Sequence, residues 1–481
     1  MPNGAPLIRK VIHWLRIIRV WWIVLFVAPF IGCSSNPPRP SVLLFVIDTL
    51  RADAVSAYGP AAGTTPEIDK LAAHGLRYTR AYANASWTLP SHVTLFTGLL
   101  PSEHGVGWQR TIAADSLEML AERLRAAGYD TMGVSENPWV SETFNLAQGF
   151  DSFVDTRNGP PDVVETVTGW LRNRRSERPF FVFVNVIDPH WPYEIRAQNP
   201  FLPPGVTTEQ AAAASQWPPD WFCADRATAA DWAVQYGLYL GDVAAADAKL
   251  GRLAASLHEA GFTSNLITIV TSDHGEHFGE HRLASHQFSV REALLHVPLV
   301  VHGVPNVVPS VIDDPVQLAD LTPTILGWVG LPIPSNLSGR PIPTRQGNGA
   351  APRDIIADFL DPAEWLDPAD PLQARLGRGQ VAALRSHCRP DDRVWGDMRA
   401  LIRFPLKLIW FKRFPAELYN LNQDPSEDHD VAAQFPQVTA HLVAELDARF
   451  TTASGASHVA QATATLPPAV VEQLKALGYT H

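Results

Sequence analysis

Val42–Ile47 (VLLFVI) is apolar throughout and runs straight into Asp48. The pattern recurs where Phe180–Ile187 (FFVFVNVI) ends at Asp188-Pro189-His190 and where Leu266–Ser272 (LITIVTS) ends at Asp273-His274. Short continuous runs rich in Val, Ile and Phe are expected of strands buried on both faces, as in parallel sheets. Open sheets of that kind collect ligands and catalytic groups at the carboxyl ends of their strands. Three strands thus deliver carboxylates and imidazoles to one sheet edge, which is the layout of a metal site.

Outward from these runs the chain alternates strand and helix. Further strands are expected near Thr131–Ser135 and Val297–Val301, and a helix near Thr65–His74. Helical periodicity covers Leu117–Ala127 and Tyr236–Ala260, with Gly128 and Gly261 as stop signals. This predicts an α/β domain over 41–345, its mostly parallel sheet covered by helices on both faces. Asn199–Asp231, rich in Pro, Ala and Trp, interrupts the pattern as either a lid or a surface loop. Over 346–450 the texture changes: Arg399–Phe411 alternates like short strands and Pro436–Phe450 reads as an amphipathic helix, a smaller α+β subdomain. A linker and a short helix at Ala469–Ala476 complete 451–481.

With 46% hydrophobic and 18% charged residues, the composition excludes disorder as the main state. The net charge is −11 and no basic stripe marks a nucleic-acid binder. Residues 1–32 carry Arg9, Lys10, Arg16 and Arg19 and no acid, ahead of an apolar run, Val20–Ile31, that falls short of the roughly 20 residues of a spanning helix. The run stops at Phe30-Ile31-Gly32-Cys33, and a small, proline-rich tether follows to Pro40. This resembles a bacterial lipoprotein signal, although Phe30 stands where an aliphatic residue is usual. The alternatives are an uncleaved anchor and an ordinary secretory signal. All three place the body outside the cytoplasm, membrane-attached in the first two. Such a location permits a disulfide between Cys223 and Cys388, whose pairing the sequence leaves open.

Ser86-Trp87-Thr88-Leu89-Pro90-Ser91-His92 precedes a helix-like segment closed by Thr97-Gly98. Hydroxyls at that place have two readings. They cap the helix, or one of them is a nucleophile set where free N–H groups receive an anion.

Read together, the motifs resemble the sulfatase family of the alkaline-phosphatase-like superfamily. They are Val46–Asp53 (VIDTLRAD), Thr65–Ala72 (TPEIDKLA), Thr88–His92 with Leu95, Thr97 and Gly98, Pro101–Gly105 (PSEHG), Asp188–Tyr193 (DPHWPY), Thr271–Glu276 (TSDHGE), Glu417–Leu421 (ELYNL) and Asp424–Glu427 (DPSE). The resemblance spans nearly all of 41–450 and implies an alkaline-phosphatase-like fold and a metal-dependent hydrolase of anionic esters. Departures fall in the site. Sulfatases carry Cys or Ser, oxidised to formylglycine, where this chain has Thr88, and Arg where it has His92; Thr49 replaces the second Asp of a pair. The chain thus looks like the threonine-nucleophile branch, with phosphoethanolamine transferases and phosphodiesterases.

The resemblance implies that Asp48, Thr88, Asp273 and His274 hold one metal, a mixed O/N set that suits zinc better than calcium. Thr88 is then the nucleophile, phosphoesters and phosphodiesters are preferred to sulfate esters, and His190 and His286 bind the ester's oxygens or protonate its leaving group. His92 is expected to position the transferred group. An alternative gives Asp188, His190 and His286 a second metal. The rival functions are a sulfatase that works without formylglycine and a non-catalytic binding lipoprotein. His277 and His281 stand at chelating i, i+4 spacing, but Gly275 and Gly279 argue against a helix there. His104 fits the site or a turn, and Trp191 and Tyr193 fit pocket walls or packing.

Overall fold

The computed structural model describes residues 38–61, 63–107, 111–157, 161–215, 227–286, 288–346, 353–360, 393, 396–453 and 466–477. The signal segment, most of the tether, Cys33, Cys223 and Cys388 lie outside the described residues. Among the described residues no helix is long and apolar enough to cross a membrane.

Among the described residues eleven strands precede the C-terminal sheet: β1 (Ser41–Ile47), β2 (Leu76–Tyr82), β3 (Asp130–Ser135), β4 (Ser152–Asp155), β5 (Phe180–Val186), β6 (Leu266–Ser272), β7 (His277–Phe278), β8 (Ala284–Ser285), β9 (His296–His302), β10 (Ser310–Ile312) and β11 (Val316–Gln317). The main sheet has the order β10-β2-β9-β6-β1-β5-β3-β4, with β11 also beside β2, and β7 and β8 form a separate hairpin. β1 lies parallel between β5 and β6. Its side chains explain why: Val42, Leu44 and Val46 enter one hydrophobic core, and Leu43, Phe45 and Ile47 enter another. A strand apolar at every position needs cover on both faces. Helix α1 (Thr88–Thr97) contributes Leu89, Val93, Leu95 and Phe96 to the first core, and α2 (Ala229–Glu259) contributes Leu238, Val243, Leu250 and Leu253 to the second.

One strand is new to the sequence reading, and another supplies the antiparallel member of the mostly parallel mixed sheet expected from it. The half-buried β2 (LRYTRAY) was not anticipated, and β9 runs antiparallel to both β6 and β2. A parallel return needs a crossover of a dozen or more residues, usually helical. Between β6 and β9 the described residues form the β7–β8 hairpin and single helical turns at Glu280–Arg282 and Glu292–Leu295, with no helix long enough to carry the chain back across the sheet, and β9 returns antiparallel from the carboxyl edge. That detour lays residues 273–286 across the edge where β1 ends.

The C-terminal strands β12 (Ile355–Phe359), β13 (Met398–Arg403), β14 (Leu406–Phe411) and β15 (Glu417–Asn420) form an antiparallel sheet in that order. Period-2 alternation divides its residues. Ala357, Phe359, Met398, Ala400 and Ile409 join the core of the main domain, while Ile356, Leu401, Leu408 and Leu418 pack on Leu442 and Leu446 of α3 (Pro436–Ala453). A shared core makes residues 39–481 one compact unit.

An ionic joint strengthens that union. The Lys407 side chain is fully buried, with Nζ 2.8 Å from both Glu292 and Glu427. Removing one member of a buried ion pair leaves an uncompensated charge, at a cost of roughly 3–5 kcal/mol. Lys407→Ala is therefore expected to lower the unfolding free energy measured in urea by that order, whereas Lys475→Ala, which loses a half-exposed pair with Glu472, costs under about 1 kcal/mol.

Candidate active site and metal centre

Register brings the first two ligands level. Ile47 pairs with Ser272 across β1 and β6, so Asp48 and Asp273 leave the sheet side by side. Each carboxylate is held at one oxygen and bare at the other. Asn137 Nδ2 donates to Asp48 Oδ2. The N–H groups of Thr49 and His274 donate to Asp273 Oδ1 at 3.2 and 3.0 Å. Asp48 Oδ1 and Asp273 Oδ2 are buried without a hydrogen-bond partner among the described residues.

His274 faces them. Its Nδ1 donates to the Gly275 carbonyl at 2.9 Å, which makes Nε2 the acceptor nitrogen. That nitrogen stands 3.5 Å from Asp273 Oδ2 and 3.9 Å from Asp48 Oδ1. Three electron pairs thus converge in a fully buried space, each of their atoms within 4.8 Å of the others. Burial raises the pKa of Asp48 well above the usual carboxylate range, and repulsion from Asp273 adds to it. Burial also raises Asp273 and pushes His274 down to about 3. A divalent cation reverses each of these penalties. The donor set fits one.

Thr88 is the first residue of α1, and no side-chain bond caps this helix. The capping reading therefore fails: Thr88 Oγ lies 3.4 Å from His274 Nε2, inside the site. Ser91 Oγ donates to the Asp273 carbonyl at 2.6 Å, which ties the first turn of α1 to the end of β6. His92 Nδ1 donates to the Thr88 carbonyl at 2.9 Å and lies 3.6 Å from Asp273 Oδ2. Its ring meets Phe96 and Phe183 edge-on and is fully buried. Through Nδ1 it braces the first turn of the helix beside Asp273, and its Nε2 is buried without a hydrogen-bond partner among the described residues.

His190, His274 and His286 form a chain of rings, with centroids 5.0 Å apart between His190 and His286 and 4.6 Å between His274 and His286. His190 Nδ1 donates to the Trp191 carbonyl. His286 Nδ1 faces both carboxyl oxygens of Glu276 at 3.3 Å. Burial holds His190 and His286 near pKa 3 and pushes Glu276 up to about 7.

The second-metal set is not assembled. Asp188 is ion-paired with Lys249 at 2.8 Å and lies 3.9 Å from Arg196, because α2 presents a cation to its loop. Among the described residues the metal-holding group is Asp48, Asp273 and His274. Sequence reasoning missed Glu276 and Asn137. Glu276 stood inside a quoted motif; Asn137, 89 residues from Asp48, left no local signal.

The remaining histidines are structural. His277 is buried in β7, while His281 bonds to the Ser426 carbonyl at 2.8 Å, so the two do not chelate. His104 accepts from the Val106 N–H and donates to Thr94 Oγ, completing a turn. Tyr193 packs on Tyr239 and Phe278.

A family model described as Sulfatase matches residues 40–331. Arylsulfatase K of Xenopus laevis is 24% identical over 359 residues, covering 64% of this chain and 66% of that protein. The Mus musculus arylsulfatase K is 23% identical over 464 residues, covering 84% of this chain and 78% of that protein. Among solved structures, the phosphonate monoester hydrolase of Agrobacterium radiobacter superposes with a TM-score of 0.65 at 21% identity, covering 86% of this chain and 96% of that one. At that identity the likeness is one of fold.

The titration of the ligands sets a testable sign. Carboxyls with raised pKa hold protons that the unfolded chain has released, so they lend the metal-free protein stability that is lost as pH rises through their folded values. A cation takes the deprotonated form. The rise in melting temperature on adding zinc should therefore be larger at pH 7.5 than at pH 5, and Asp273→Asn or His274→Ala should remove it at both.

Proposed function

The chain belongs to the sulfatase family and is an ester-hydrolysing enzyme, and we propose that it is a metal-dependent hydrolase of phosphate monoesters or diesters in preference to sulfate esters, with Thr88 as nucleophile. The observation that carries this reading is the position of Thr88 Oγ, 3.4 Å from His274 Nε2 at the start of α1, beside two carboxylate oxygens that lack partners.

Asp48, Asp273 and His274 would hold the cation, zinc by its mixed oxygen and nitrogen donors, with Thr88 Oγ alongside. When bound it would lower the pKa of the hydroxyl and offset charge on the transferring group. Thr88 Oγ supplies the electron pair of the new bond to phosphorus as its proton passes to the neighbouring imidazoles, and the bond to the leaving oxygen breaks as His190 or His286 returns that proton to it. The positive end of α1 favours the anionic group being transferred. His190 and His286, neutral at pH 7, turn Nδ1 toward the Trp191 carbonyl and Glu276. Either imidazole would take the proton of the water that opens the phosphothreonine.

Preference for phosphorus follows from the nucleophile. Oxidation of a threonine side chain yields a ketone, so the aldehyde hydrate of formylglycine sulfatases is closed to Thr88. The names of the arylsulfatase relatives favour the second reading, a sulfatase that works through threonine itself. By its N-terminal segment the enzyme is read as extracytoplasmic and membrane-tethered.

A panel of aryl phosphate, aryl phosphodiester and aryl sulfate, with the zinc-loaded full chain, separates the readings. Hydrolysis of a phosphoester is expected to fall roughly a thousandfold or more in Thr88→Ala, with the melting temperature within about 2 °C of the native value. Thr88-dependent turnover of the sulfate alone would establish the second reading, and undiminished turnover in Thr88→Ala would remove the nucleophile assignment.

A further inference from the structure

The edge of the main sheet opposite the reaction centre carries a cluster of arginines. Ser41, Asp130, Phe180 and Leu266 begin β1, β3, β5 and β6, and the parallel registers set them level. The turn 127–130 is the centre of the cluster. Arg39 Nη1 donates to the Ala127 carbonyl at 3.0 Å. Arg178 Nε and Nη2 donate to the Gly128 and Tyr129 carbonyls at 2.6 and 3.1 Å. Arg174 Nη2 pairs with Asp130 at 2.7 Å, and Arg178 Nη1 lies 3.3 Å from the other oxygen of that carboxylate. These three arginines brace the turn. Arg125, in the last turn of the helix Leu120–Ala126, is exposed at the same edge, as are Arg172 and Arg175 at and just past the end of the helix Val163–Asn173. Against the six stand Asp130, half-buried under its two arginines, and the exposed Asp151, Glu177 and Glu259. The edge is thus positive in a chain whose net charge is −11.

The chain also enters the body at this edge. Tyr129 Oη donates to the Pro40 carbonyl at 2.8 Å and Asn265 Nδ2 to the Arg39 carbonyl at 3.1 Å, which fixes residues 39–40 among these turns. Arg39 follows Cys33, the cysteine of the lipoprotein-like signal, by six residues, a span of at most about 22 Å. The seven residues of β1, at about 3.3 Å each, put the reaction centre roughly 20 Å away at the other end of the strand.

We propose that this arginine-bearing edge docks on an anionic phospholipid surface, so that the body lies on the membrane with its reaction centre turned away from the lipid. The inference rests on the membrane-tethered reading above and adds to it a second contact, made by the body itself. Exposed guanidinium groups bind phosphate oxygens in pairs, which suits them to lipid headgroups. Each basic group close to such a surface adds to the attraction. A tether alone leaves the body free to swivel. The surplus of carboxylates elsewhere is repelled by the same headgroups, and that repulsion selects one orientation.

Vesicle co-sedimentation tests this, with residues 39–481, which form one compact unit, and with the full chain. The vesicles are phosphatidylcholine alone or mixed with phosphatidylglycerol. In about 0.1 M salt residues 39–481 are expected to bind the mixed vesicles roughly ten- to a hundredfold more tightly than the variant combining Arg125→Gln, Arg172→Gln and Arg175→Gln. That difference should vanish on phosphatidylcholine and in about 1 M salt. The three positions are exposed, so the variant should keep the native melting temperature. Arg340→Gln should keep native binding, since Arg340 N–H bonds to Asp320 beyond β11, at the carboxyl end of β2. Equal binding of the native protein and the triple variant to the mixed vesicles overturns the proposal. So does arginine-dependent affinity for a sulfated polysaccharide with none for the vesicles. Release of the full chain from phosphatidylcholine in about 1 M salt overturns the tether reading, and the docking edge stands if the arginine dependence is intact.

Discussion

Two carboxylates forced together out of water are the constraint around which this protein is arranged. Asp48 and Asp273 are level because β1 and β6 are parallel and in register, and burial plus mutual repulsion opposes the ionisation of both. Each has one oxygen satisfied, by Asn137 or by the backbone N–H groups of Thr49 and His274, which fixes the direction of the other. The bare oxygens and His274 Nε2 then point at one another. Such an arrangement is costly in isolation and favourable around a cation, so the fold holds in advance a geometry whose reward comes on metal binding.

The surrounding architecture serves that point. Reversal of β9 keeps residues 273–286 at the carboxyl edge, and His274, Glu276 and His286 are all delivered by this one detour. Helix α1 enters from the other side, tied by Ser91 to the Asp273 carbonyl, and sets Thr88 beside the imidazole. The antiparallel C-terminal sheet shares its core with the main domain through Phe359 and Met398.

Much of this was legible in advance. The uniform apolarity of Val42–Ile47 and Leu266–Ser272 reports burial on both faces, and the residue after each run marks a strand end. Hence Asp48, Asp273 and His274 were all found before any coordinates. The motifs around Thr88 and His190 added the proposed nucleophile and an imidazole. For His92 the sequence located the turn of the helix but not the surroundings of its ring, which meets Phe96 and Phe183 edge-on.

By itself, then, the sequence determined the strands, the residues at their ends and the chemistry available there, since burial and periodicity are local properties. Only the tertiary structure decided partnerships. Lys249 of α2 draws Asp188 away from the imidazoles, Glu276 takes its place beside His286, and Asn137 reaches Asp48 across 89 residues. Ion pairs and hydrogen bonds reach only a few ångströms in space but are indifferent to separation along the chain. Which carboxylate meets a metal and which a lysine is therefore settled when the sheet and its helices pack.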